Sequence, residues 1–196
     1  MSNEITVRLK CSIEEIKKIL EDKDFKMTDK YEVEDTYYIS KVIDITKLIP
    51  REILKSYILL RDIKQYESDN LKNNYNIVKI TYKHKEIASN GEIISQEKYD
   101  CEIKEKDQGK NILEAIGYRE IMTIKEYDVV YSKNELDIEI KDIVNGDNLI
   151  EIETNAELNT IDKLKQKISK LDIPIDESDF FVKKAEIELK KLLGDM

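Results

Sequence analysis

Several short stretches of this chain alternate acids and bases with apolar residues, a spacing that could hold a charged ligand and its counter-ion. In EITVRLK, residues 4–10, Glu4, Thr6, Arg8 and Lys10 fall on one face of an extended strand, and Ile5, Val7 and Leu9 on the other. The pattern recurs. Lys79, Thr81, Lys83 and Lys85 share a face in IVKITYKHKEI; Lys98, Asp100 and Glu102 do so in EKYDCEI; Glu151 and Glu153 do so in LIEIE. Lysine and arginine are the side chains that take phosphate oxygens. Paired glutamates suit Mg²⁺ or Mn²⁺, which prefer carboxylate and water oxygens. Together these types suit a polyphosphate with its divalent metal. The plainer alternative is one solvated face of an open antiparallel sheet, and the alternation alone leaves both open.

Other chemistry finds little support. His84 is the single histidine and lies on the apolar parity of its strand, which reads as structural. No Ser/His/Asp or Cys/His arrangement can be assembled. The five glycines are scattered, so there is no P-loop or glycine-rich nucleotide loop. The Tyr-rich stretch 31–38 reads as strand core rather than a base-stacking platform.

The elements that must position these residues are legible from periodicity. Strands are predicted at 3–11, 30–41, 56–63, 77–87, 93–105, 119–131, 136–144 and 149–154. In the strand 136–144, Asp137, Glu139 and Lys141 alternate with Leu136, Ile138 and Ile140. Asn90-Gly91 and Asn145-Gly146 mark two hairpins. Ser12 with Glu15 forms a capping box before Ile13, Ile16, Ile19 and Leu20 at helical spacing. A short helix is expected after Pro50, another over GKNILEA ending at Gly117, and two more at about 159–171 and 177–193. The class is α+β, with antiparallel strands enough to close a barrel.

The chain of 196 residues is long enough for one domain with a sizeable core, and the expectation is a single domain over 1–196. Its charge of −9 argues against nucleic acid or an anionic membrane as partner. Cys11 and Cys101 lie in strand-like alternation without metal-ligand spacing, which points to reduced thiols. MSNEITVRLK lacks the apolar region of a signal peptide, and no run approaches a membrane span, so a cytoplasmic location is expected. The last helix, amphipathic, suits core packing or a homodimer contact.

The order of these segments resembles the CYTH superfamily, the triphosphate tunnel metalloenzymes that include class IV adenylyl cyclases and thiamine triphosphatases. EITVR stands at its opening E-x-E-x-K strand, EDTYY at D-x-Y-F/Y, YILLRD at R-x-R and ITYKHK at T-x-K. EKYDCEI resembles E-Y-E-V, TIKEYD falls at K-x-R, and DIVNGDNLIEIE resembles the closing D-x-V-x-x-L-G-x-F-x-E-x-E. The resemblance spans about residues 3–185.

It implies a closed eight-stranded antiparallel β-barrel with helices packed outside, and a nucleoside triphosphate or other triphosphate as substrate. Carried over by position, Glu4, Glu151 and Glu153 would hold Mg²⁺ or Mn²⁺. Arg8, Arg61, Lys83, Lys125 and Asp100 would contact substrate. Asp142, matched by allowing one deletion after it, and Lys83 would serve catalysis. The departures are Thr6 for an acid, Leu59 and Tyr127 for bases, Lys98 for a Glu, and Gly146-Asp147 in the turn. The resemblance implies ATP cyclisation to cyclic AMP and pyrophosphate, or triphosphate hydrolysis. The departures leave a second reading, a tunnel that binds a nucleotide or polyphosphate without turning it over.

Overall fold

A computed structural model describes residues 4–68, 75–87, 93–153, 155, 157–158 and 160–194. The elements run β1 (Glu4–Arg8), α1 (Ile13–Asp22), β2 (Lys26–Ser40), α2 (Pro50–Ile53), β3 (Ser56–Ser68), β4 (Tyr75–Ile87), β5 (Ile93–Ile103), α3 (Lys106–Ala115), β6 (Tyr118–Lys133), β7 (Leu136–Ile143), β8 (Asn148–Glu153), α4 (Ile161–Lys170) and α5 (Lys184–Leu193). The strands form one eight-stranded sheet in the order β1-β8-β7-β6-β2-β3-β4-β5. It is the antiparallel sheet with external helices that the alternation predicts.

The chain divides into two compact units. The first holds residues 1–32, 65–74 and 126–183. Its core gathers Ile5 and Val7 of β1, Ile138 and Ile140 of β7, and Ile150 and Ile152 of β8. Against them pack Ile16 and Leu20 of α1 and Leu164 and Ile168 of α4. Every one of these positions belongs to a period-two or period-3.6 set visible in the sequence. Ser12 caps α1 by accepting a hydrogen bond from the Glu15 amide at 3.3 Å.

The second unit holds residues 33–64, 75–125 and 184–196. Its core joins Tyr38, Ile58, Leu60, Val78 and Leu113, with Ile80, Tyr82 and Ile103 packed against them. Leu113 brings α3 onto this face, and α3 ends before Gly117, which takes the left-handed φ of 91°.

Two expectations need correction. The sheet does not close through hydrogen bonds between β1 and β5 among the described residues. The second edge of β1 is engaged elsewhere. Thr6 N donates to Phe180 O at 3.0 Å, Val182 N to Thr6 O at 3.0 Å, and Asp176 N to Arg8 O at 2.9 Å. For the same reason the helix expected from 177 begins only at Lys184. Asp176 and Asp179 each accept an amide two residues on, at 3.2 Å from Ser178 and 2.8 Å from Phe181. These Asx turns hold the segment extended along β1 rather than coiled.

The turn after β7 matches its Asn-Gly signal: Asn145 has φ 60° and Gly146 N donates to Ile143 O at 2.8 Å. The Asn90-Gly91 turn lies outside the described residues. Among the described residues no helix is long and apolar enough to cross a membrane.

Candidate functional site

In the first unit, pairing of β1 with β8 sets Glu4 opposite Glu153 and Thr6 opposite Glu151. Since Ile5, Val7, Ile150 and Ile152 fill the core, the intervening acids share the other face. One carboxylate oxygen from each of Glu4, Glu151 and Glu153 lies within 4.8 Å of the others. Three hard oxygen donors this close fit a divalent ion of the Mg²⁺ or Mn²⁺ type. The three predicted metal ligands are thus brought together.

The same face continues onto β7, where Glu139 pairs in register with Glu151. Lys141, next on that face, places its Nζ 3.1 Å from Glu139, 3.6 Å from Asp128 and 3.7 Å from Glu151. Thr6 donates to the other oxygen of Glu151 at 3.4 Å. Burial lowers the Lys141 pKa, but Asp128, Glu139, Glu151 and Glu126 outweigh it and hold the ammonium charged well above the usual lysine range. Thr6, Glu126, Asp128 and Lys141 are all buried. Glu4 and Glu153 on the same face are exposed, so the face is covered around Lys141 and open to water at its edge.

Asp142 is placed otherwise than the motif reading assumed. It shares the parity of Ile138 and Ile140, so its side chain leaves β7 on the core-facing side, opposite Glu139 and Lys141. The match required one deletion. Counted without it, the polar-face position is Lys141. Arg8 is on the expected strand, with Nε 2.8 Å from Asp147. The Asp147 that departs from the motif's turn thereby gains a partner.

In the second unit, Tyr38, Ile58, Leu60, Ile80 and Tyr82 face the core. Asp35, Arg61, Thr81 and Lys83 alternate with them and share the opposite face. Arg61 docks on Asp35 through Nε and Nη2, both at 2.6 Å, and Lys184 of α5 reaches the same carboxylate at 3.1 Å. Asp35 is fully buried. Burial raises its pKa, but Lys184 and Arg61 hold the carboxyl well below the usual range. Thr81 donates to Asp100 at 2.5 Å, and Lys98 lies 3.1 Å from Asp100. Lys83 stands in register with Lys98. Asp100 is therefore held by Thr81 and paired with Lys98. Lys125 is separated from this set. Its Nζ lies 2.7 Å from Glu34, the residue that alternates with Asp35 and projects from the other side of β2.

The motif reading missed Lys141, Glu139, Asp128, Asp35 and Lys184. The first two were visible as polar-parity residues of β7, and Asp35 sits inside EDTYY. Nothing in the sequence connects Lys184 to Asp35, 149 positions away.

The carboxylate cluster of the first unit can hold a divalent cation, and the second unit carries an arginine fixed on a buried carboxylate. No family model and no curated protein matches the chain. Solved structures do. The PH1819 protein of Pyrococcus horikoshii OT3 aligns at TM-score 0.67 and 20% identity, over 97% of this chain and 99% of that one. A candidate adenylate cyclase of Vibrio parahaemolyticus aligns at TM-score 0.61 and 13% identity, over 97% of each chain. A candidate adenylyl cyclase of Hippeastrum, described as having a dominant triphosphatase activity, aligns at TM-score 0.59 and 14% identity, over 97% of this chain and 96% of that one. The likeness is one of fold across nearly the whole chain.

Proposed function

We propose that this protein is a metal-dependent enzyme acting on a triphosphate substrate. The observation that carries the reading is the convergence of Glu4, Glu151 and Glu153 in a fold shared with candidate adenylyl cyclases. Their carboxylates would hold Mg²⁺ or Mn²⁺, which when bound neutralises phosphate charge and polarises a phosphoryl oxygen. Arg8, Arg61 and Lys83 would take phosphate oxygens. Asp35 holds Arg61 and Asp147 holds Arg8 in place, so that less side-chain entropy is lost on binding.

Two reactions fit the class. In cyclisation the ribose 3′-oxygen bonds to the α-phosphorus, its proton leaves, and the bond to pyrophosphate breaks. In hydrolysis a water oxygen bonds to the terminal phosphorus and a diphosphate leaves. A second reading, a module that binds a triphosphate without turning it over, is favoured by one feature: both oxygens of Glu151 already have partners, Lys141 and Thr6.

Phosphorus NMR with Mg²⁺ and, in parallel, ATP, thiamine triphosphate and inorganic triphosphate tests the reading. Pyrophosphate with cyclic AMP marks a cyclase; orthophosphate with a diphosphate marks a hydrolase. Shifted resonances without products mark a binding module. Unperturbed resonances with all three ligands would overturn the proposal.

A further inference from the structure

We propose that Lys141 is a tethered cation of the carboxylate centre, which competes with the divalent ion for Glu151 and thereby limits the centre's affinity for metal. This rests on the metal-binding reading above and deepens it. The geometry is specific. Lys141 Nζ faces Glu139 at 3.1 Å, Asp128 at 3.6 Å and Glu151 Oε1 at 3.7 Å, while Glu151 also belongs to the group formed with Glu4 and Glu153. Glu151 is therefore the residue common to both sets. Its second oxygen is held by Thr6 at 3.4 Å. A metal ion drawing on Glu151 must share it with the ammonium or displace it.

The backbone keeps Lys141 there. Lys141 is in register with Leu149 of β8 and Asp128 of β6, so its side chain rises between two acid-bearing strands. Its side chain is 10% exposed, so water does little to screen the charge. A fixed positive charge beside a cation site repels the incoming cation, while the carboxylates it neutralises would otherwise attract it more strongly. Binding of metal and retention of the ammonium at Glu151 oppose one another, and the coupling is reciprocal.

The test is titration of the full chain with Mn²⁺, free ion being read by electron paramagnetic resonance, for wild type, Lys141→Gln and Lys141→Arg. Lys141→Gln should bind Mn²⁺ about tenfold more tightly, in the usual range of a coupling between neighbouring sites. Lys141→Arg keeps the charge and should stay near wild type. Equal affinity in wild type and Lys141→Gln overturns the proposal while leaving the metal reading intact. Absence of Mn²⁺ binding in both overturns the metal reading and this proposal with it. Should Lys141→Gln fail to fold, the wild type decides. Nitrogen NMR of lysine ammonium groups, with the Lys141 signal assigned by its loss in Lys141→Arg, should show that signal moving as Mg²⁺ is added. A signal unmoved at saturating Mg²⁺ overturns the proposal.

Discussion

Arg61 meets Asp35 side-on, Nε and Nη2 each 2.6 Å from one carboxylate oxygen, and the carboxylate they share is fully buried. Lys184 of α5 completes the group at 3.1 Å from Oδ2. A buried acid with two cations is expensive to break from either side, because the remaining partners keep their charge without their counter-ion. Asp35→Asn should therefore destabilise the fold by about 3–5 kcal/mol at neutral pH, measured by urea unfolding.

The pH dependence of that loss has a fixed sign. Asp35 has a folded pKa held below its ordinary value, so its stabilising effect is complete above the unfolded value of about 3.9 and fades as pH falls below it toward the folded value. The stability difference between wild type and Asp35→Asn should be constant from neutral pH to about pH 5 and shrink with further acidification. A difference that grew on acidification would contradict the assignment.

Glu151→Gln and Glu153→Gln should each weaken Mn²⁺ binding at least about tenfold, within the range for perturbed metal sites. If the protein turns over a triphosphate, both should reduce the rate by a larger factor than the affinity. Calorimetric titration with Mn²⁺ and phosphorus NMR check the two effects separately.

Arg8 gives a contrasting case. Its pair with Asp147 is about one-third exposed on both sides, so Arg8→Ala should cost less than about 1 kcal/mol of stability. The same change should weaken triphosphate binding if Arg8 contacts phosphate. A large stability loss with unchanged binding would make Arg8 structural instead.

Gly117→Ala isolates a backbone effect. Gly117 has φ 91°, and a Cβ there would meet nothing within 4 Å. The expected loss of about 1 kcal/mol in thermal or urea unfolding comes from the left-handed conformation alone.

The sequence by itself determined the faces. Alternation sent Ile5, Val7, Ile150 and Ile152 to the core and grouped Glu4, Glu151 and Glu153 on the other side, because a strand's period of two is local and needs no tertiary information. The Ser12 cap and the Gly117 stop were legible for the same reason. Tertiary structure decided the register and the partners. Parity put Lys141 and Glu139 on one face, but only the register set Lys141 opposite Asp128 and Glu139 opposite Glu151. Lys125 paired with Glu34 on the far side of β2, since a base's partner depends on which strand lies beside it. The segment 174–182 became the neighbour of β1 because an edge strand's amides and carbonyls need hydrogen bonds, and that need is satisfied by whichever chain segment the fold brings alongside. The joining of Lys184 to Asp35, across 149 positions, depends on how the chain returns, which no local pattern carries.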